Sequence, residues 1–206
     1  MSRPVLRTSV LRRLLAAGAA LAAVGLMTAC GSDDDSQAHD GHQHSHGAST
    51  TAASVAPGVN SADVSFAQMM IPHHQQAVEM AELVPSRTQN PWLLTFAEQV
   101  KNAQQPEIDQ LTDALKSWGQ EVPAGGGHHH MDGMMTAEQM ANLEKLSGQA
   151  FDREWITMMI EHHEGAVDMA KTELADGENA EMRELAQSIV SAQQGEIDEM
   201  KAQLGS

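Results

Sequence analysis

The sequence predicts an all-α protein, a four-helix bundle built from two repeated helix pairs, and three observations carry that reading. Aromatic residues make up 3% of the 206, with no Tyr, so Leu, Val, Ala and 14 Met must fill the core, which favours helices over a β-sandwich. A shift of 89 residues lays Met69-Met70-Ile71-Pro72-His73-His74-Gln75-Gln76-Ala77-Val78-Glu79-Met80-Ala81 on Met158-Met159-Ile160-Glu161-His162-His163-Glu164-Gly165-Ala166-Val167-Asp168-Met169-Ala170, with nine of 13 positions identical. The same shift, without a gap, carries Ala103-Gln104-Gln105-Pro106-Glu107-Ile108-Asp109 onto Ala192-Gln193-Gln194-Gly195-Glu196-Ile197-Asp198, where six of seven match. Both parts of each repeat show apolar residues at helical spacing.

Residues 1–29 read as a signal peptide. An Arg-bearing start leads into the apolar run Leu14 to Ala29, which ends in Leu26-Met27-Thr28-Ala29-Cys30. That ending resembles a bacterial lipobox, which implies a diacylglycerol on Cys30 and attachment to the outer face of the cytoplasmic membrane. The 16 apolar residues, rich in Ala and Gly, fall short of the roughly 20 needed to span a bilayer. Arg12-Arg13 leaves twin-arginine as well as general export open. Residues 30–61 are mostly Ser, Ala, Asp, Gly and His with few large apolar groups, the composition of a flexible tether.

The bundle domain is expected over residues 62–204. In its first helix Phe66, Met69, Met70, His73, Ala77, Met80, Ala81 and Val84 share one face, with Pro72, Gln75, Glu79 and Glu82 opposite. Asp63 is the expected cap, and Pro85 the expected stop. Asn90-Pro91 starts a second helix whose inner stripe is Ala97, Val100, Gln104, Ile108, Leu111 and Leu115; Gly119 lies beyond its end and Pro106 predicts a local kink. A loop from Gly119 to Thr136 precedes a short helix over Ala137 to Leu146. The second repeat gives helices over Ser147 to Leu174 and Asn179 to Leu204, joined around Asp176-Gly177.

Charge and cysteine content narrow the chemistry. The formal net charge is −16, and because Arg3, Arg7, Arg12 and Arg13 precede Cys30 while no acidic residue does, the chain from Cys30 onward keeps 8 basic against 28 acidic groups, a net −20. Nucleic acid and anionic membrane surfaces are poor partners for such a chain, and cations are good ones. A single Cys excludes an intramolecular disulfide and a Cys-based zinc cluster, leaving His, Met and carboxylates as ligands. There is no Gly-rich phosphate loop, Ser-His-Asp arrangement or basic patch.

The candidate metal ligands fall in three groups. In the bundle, His73 and His74 stand with Met69, Met70 and Met80, and the second repeat rebuilds the set as His162, His163, Met158, Met159 and Met169. Met69 with His73, and Met70 with His74, are i,i+4 pairs that can present a thioether and an imidazole to one point. The partner helices add Gln104 and Glu107, repeated as Gln193 and Glu196, polar groups that need buried partners. On spacing alone, a metal site and a polar core network filled out by Met are both open. His39, His42, His44 and His46 in the tether form the second group, suited through imidazoles to Cu(II) or Zn(II). His128, His129, His130, Met131, Met134 and Met135 in the inter-repeat loop form the third, a mixture that can accept Cu(I).

From about Ala62 to Leu204 the chain resembles the domain of unknown function 305 family of ferritin-like extracytoplasmic helical proteins. The residues that carry the resemblance are Met69 to Ala77, Gly133-Met134-Met135, Phe151-Asp152, Met158 to Ala166 and Gln193 to Met200. It implies a ferritin-like four-helix bundle and, for some members, copper or silver handling. Di-iron bundles use Glu-x-x-His on two helices; here Met70 and Met159 stand where that Glu would be, three residues before His73 and His162. A soft thioether in place of a hard carboxylate shifts preference towards Cu(I) or Ag(I). The leading expectation is therefore a membrane-tethered protein that captures or buffers copper, with silver or zinc as other ions and the protein partner unknown. A ferritin-like redox enzyme holding a catalytic metal on Glu107, Glu196, His73 and His162, or a helical interaction module whose His, Gln and Glu residues only specify packing, are the alternatives.

Overall fold

The structure, a computed structural model, describes residues 56–124 and 131–205. Within them are five helices and no strand: α1 (Ser61–Arg87), α2 (Pro91–Ser117), α3 (Ala137–Leu143), α4 (Gly148–Asp176) and α5 (Ala180–Leu204). The four long helices form the predicted bundle. α1 packs on α2 and α4 on α5, as the repeat requires, while α1 and α4 pack on each other in the middle. No helix among the described residues is long and apolar enough to cross a membrane. Cys30, the tether histidines His39, His42, His44 and His46, and the loop histidines His128, His129 and His130 lie outside the described residues.

Local sequence explains the helix ends, with corrections. Asp63 is not the cap of α1. Asn60 is, its side chain accepting from Ala62 N–H at 2.7 Å and Asp63 N–H at 3.2 Å, while the Asp63 carboxylate accepts from Asn60 N–H at 2.6 Å to complete a capping box. Pro85 does not stop α1, which runs on to Arg87 and closes with Thr88 N–H on Val84 carbonyl. Pro72 is buried, not outward, because residues 121–124 and Met131 of the inter-repeat segment lie beside it. α2 starts as expected, Asn90 capping and Pro91 opening the first turn, and is assigned as unbroken helix through Pro106. α3 ends at Leu143, three residues short of the expectation, and α4 extends to Asp176.

Two apolar clusters fill the bundle, one at each end. The first joins Met80, Val84, Leu93, Phe96, Trp155, Met159 and Met200 with Met140 and Leu143 of α3. The second joins Phe66, Met70, Ile108, Leu111, Ala170, Met182 and Ile189. Neither contains a histidine. The polar residues His73, His74, Gln104, His162, His163 and Gln193, all buried, make a layer of their own.

Candidate metal centre

At the middle of that layer His73 of α1 and His162 of α4 stack on each other, ring centroids 3.7 Å apart and planes at 40°. They are equivalent under the 89-residue shift, and a residue that meets its own equivalent lies on the axis relating the two repeats. From the pair the layer runs outward the same way on both sides. His74 stands 6.5 Å from His73 at a tilt of 56°, and His163 stands 6.4 Å from His162 at 55°. Nε2 of His74 lies 2.7 Å from Oε2 of Glu107 on α2, and Nε2 of His163 lies 2.8 Å from Oε2 of Glu196 on α5.

A carboxylate can only accept, so the proton in each of these pairs belongs on Nε2 of the imidazole. In neutral His74 and His163 that assignment leaves Nδ1 as a bare lone pair. Both Nδ1 atoms are buried without a hydrogen-bond partner, as are the side-chain oxygens of Gln104 and Gln193; the ring nitrogens of His73 and His162 are buried without a well-formed bond, with only the backbone of Asp132 near His73 and the backbone of His73 near His162. A buried polar atom left unpaired costs about 1–3 kcal/mol. A layer with this many imidazole nitrogens short of a well-formed bond is therefore expensive unless something binds them. Burial, followed by the charge that His74 and His163 would carry, holds His73 well below the ordinary imidazole value of 6.5. Burial, followed by His73 and its neighbours, does the same to His162. Both rings are neutral at physiological pH, the state in which imidazole is a ligand.

The structure divides the other sequence candidates. Glu107 and Glu196 sit behind His74 and His163, where a carboxylate orients an imidazole. Met70, Met80, Met158 and Met159 are buried in the apolar clusters, and Met169 is half-buried against one of them. Met69 is 37% exposed and, with Met131, Pro72, Gln68 and Glu121, lines a surface groove of about 500 Å³. Its repeat mate Met158 is buried because α3 packs against α4 and has no counterpart on α1. Met134 is half-buried and Met135 buried. Among the described residues no three His, Cys, Asp or Glu side chains converge as a ready-made cage. The sequence reading missed Gln76, whose buried amide binds the backbone of Met135; its signal was that the repeat has Gly165 there, one of four mismatches in the 13-residue block.

Comparison with known proteins follows the same lines. The family model described as domain of unknown function (DUF305) matches residues 63–204. Among solved structures, a DUF305 protein from Streptomyces coelicolor described as secreted is 30% identical, with a TM-score of 0.66 over 70% of this chain and 92% of that one. A DUF305 fragment from Deinococcus radiodurans is 32% identical, with a TM-score of 0.66 over 72% of this chain and 99% of its own. CopM in its Cu(I)-bound form is 35% identical, with a TM-score of 0.58 over 68% of this chain and 93% of its own; CopM is also seen in Cu(II)-bound and Ag-bound forms. No curated protein matches the chain.

Proposed function

The chain belongs to the DUF305 family, and from that premise we propose that it is an exported copper-binding protein that takes up Cu(I) at the His73–His162 pair. The observation that supports this most is the close, fully buried pair itself, whose four ring nitrogens lack well-formed hydrogen bonds and have only the backbone of Asp132 near His73 and that of His73 near His162. A polar layer built only for packing would pair those atoms with one another or with the neighbouring Gln104 and Gln193. The filled d shell of Cu(I) or Ag(I) accepts two imidazoles and a soft neighbour, and needs no cage of four nitrogen and oxygen donors. Met70 and Met159, one turn before the two histidines, are the nearest soft donors in sequence. Glu107 and Glu196 would turn His74 and His163 so that Nδ1 is the free nitrogen. CopM, bound to Cu(I), Cu(II) and Ag, supports the choice of ion.

Capture or buffering, not turnover, suits a site whose carboxylates are each occupied by an imidazole. Anchoring through a lipid on Cys30 belongs to the same reading, and the Streptomyces coelicolor relative described as secreted supports export. The histidines at 39, 42, 44 and 46 and at 128–130, with Met131 and Met134, would gather ions at the surface.

Competition with a Cu(I) chelator tests the reading, using the parent, a His73→Ala/His162→Ala variant, and a Met70→Leu/Met159→Leu variant that keeps core volume roughly constant. The histidine variant should lose the tightest equivalent of Cu(I) while keeping its helicity. The methionine variant should bind it more weakly. If both hold Cu(I) as well as the parent, the layer is structural and metal handling belongs to the tether and loop.

A further inference from the structure

The correspondence between the repeats breaks beside the histidine layer, where Gln76 in the first repeat stands for Gly165 in the second. Each lies three residues after its histidine, one turn along, and both meet the same stretch of chain. Gln76, 6% exposed, gives its whole amide to one residue: Nε2 donates to the carbonyl of Met135 at 2.8 Å and Oε1 accepts from its N–H at 2.7 Å. Gly165 supplies room on the facing helix. A Cβ there would collide with the carbonyl of Asp132 and come within 2.8 Å of the Cα of Gly133. Gly133 has φ 81°, and a Cβ on it would stand 2.9 Å from the carbonyl oxygen of Glu161 and 3.1 Å from that of His162. Residues 132–135 therefore run backbone against backbone on α4 at His162 and are tied to α1 one turn from His73.

These contacts differ in kind from the walls around them. Above and below the layer are apolar clusters drawn from all four long helices, and to either side His74 with Glu107 and His163 with Glu196 fill the space. None of those can part without unpacking a helix. The 132–135 segment belongs to no helix: two side-chain hydrogen bonds, a glycine-to-glycine contact and the Met135 side chain, buried at the edge of the first apolar cluster, hold it. We propose that it is a strap that closes the His73–His162 pair, and that Gln76 is the positioning residue that fastens it. The repeat is asymmetric here because one segment must be bound on one side and admitted on the other. Fastening acts on entry and departure of an ion alike, so it sets rates and leaves affinity unchanged. The closure rests on geometry alone; its effect on an ion rests on the copper reading of the preceding section.

The test uses the full chain without metal and the imidazole reagent diethyl pyrocarbonate, following modification of His73 and His162 by peptide mapping. Gln76→Ala removes both bonds, and Gly165→Ala pushes the strap outward. Losing two hydrogen bonds of ordinary worth should speed labelling at least about tenfold. Gln76→Glu, which keeps the acceptor for Met135 N–H and loses the donor, should fall between. Leu111→Ala, in the far apolar cluster, lowers stability without touching the strap and should leave labelling close to the parent at equal distance below its Tm. If Gln76→Ala and Gly165→Ala label no faster than Leu111→Ala, the strap is refuted. The same variants loaded with Ag(I) should take up and release it faster by a common factor. Faster labelling combined with Ag(I) binding that survives His73→Ala/His162→Ala would keep the strap and overturn the copper reading; loss of Ag(I) in that double variant with unchanged exchange in Gln76→Ala would do the reverse.

Discussion

Replacing Glu173 by Gln should make the protein more stable at neutral and alkaline pH. Glu173, 1% exposed at the end of α4, has no donor for either carboxyl oxygen. Its neighbour Asp63 cannot help, since that carboxylate already accepts from the N–H groups of Asn60, Glu178 and Asn179 at 2.6, 3.1 and 2.8 Å. Burial first, then Asp63, pushes Glu173 from 4.5 up to about 8, with Arg183 opposing only weakly because its guanidinium is engaged by the carbonyls of Leu174 and Gly177. The folded state thus prefers the protonated acid, which can donate to Asp63. Such a group contributes its full stability below about pH 4.5 and loses it as pH rises towards 8, at about 1.4 kcal/mol per unit. The whole span amounts to about 5 kcal/mol, an upper figure that local opening and water entry reduce. A Gln amide donates to Asp63 at every pH, so Glu173→Gln should match the parent near pH 4.5 and exceed it by about 3 kcal/mol at pH 7. For a domain of this size that is a Tm gain of roughly 6–12 °C. Urea titrations of both proteins between pH 4.5 and 9 measure it. Parallel curves for the two proteins would refute the argument, since they would mean that Glu173 ionises as freely in the fold as out of it.

Three further outcomes follow from other parts of the molecule. Because burial holds His73 and His162 below 6.5, the unfolded chain takes up two protons that the folded one does not; their contribution is complete above about pH 6.5 and falls on acidification. The metal-free parent should therefore lose stability between pH 6.5 and 5 more steeply than His73→Gln/His162→Gln, by up to about 1.4 kcal/mol per unit for each ring, as read by denaturant midpoints. Asn60→Ala removes the cap of α1 and the bond from its amide to the Asp176 carbonyl, and should cost about 1–2 kcal/mol in thermal or urea unfolding. Cys30→Ser should move the protein from the membrane fraction to the soluble or secreted fraction with unchanged helicity on fractionation and circular dichroism; continued membrane association would mean that residues 26–30 do not direct lipidation.

The helices, their order and their pairing were legible because the 89-residue repeat specifies them twice. The ends were less so. Asp63 looked like a cap because it precedes the apolar run, yet its side chain turns back to the N–H of Asn60 and onward to Glu178 and Asn179. Pro85 looked like a stop, but a proline gives up its own N–H bond to the preceding turn without preventing the residues after it from bonding back, and Thr88 N–H still closes on the Val84 carbonyl. The four histidines stood out because imidazoles on apolar faces are conspicuous in a pattern, and the structure buries all four. That His73 would meet His162, and that Glu107 would reach His74 and not an ion, depends on how the pairs cross, which periodicity within one helix does not encode. Met69 and Met158 open the same Met-Met-Ile-x-His-His block yet differ in burial, Met158 lying in the apolar cluster that includes Met140 and Leu143 of α3 and Met69 at a surface groove. Glu173 was passed over although the shift pairs it with Val84 and so places a carboxylate on the inner face; that neither of its oxygens finds a donor depends on packing, which the pattern does not encode.

The meeting of His73 with its own repeat mate bears on how such a molecule can be divided. Each half carries one imidazole of the pair and one exposed flank, so a chain ending after α2 would hold half a site and would need a second copy of itself to complete it. The product would be an isologous dimer, with assembly tied to protein concentration. In such a dimer both partners share one gene, and neither position beside the histidine could change without changing the other. Joined in one polypeptide the halves stay together at any dilution and their sequences are free to part company. One could then keep a glutamine where the other shrank to glycine, which is the arrangement found at 76 and 165.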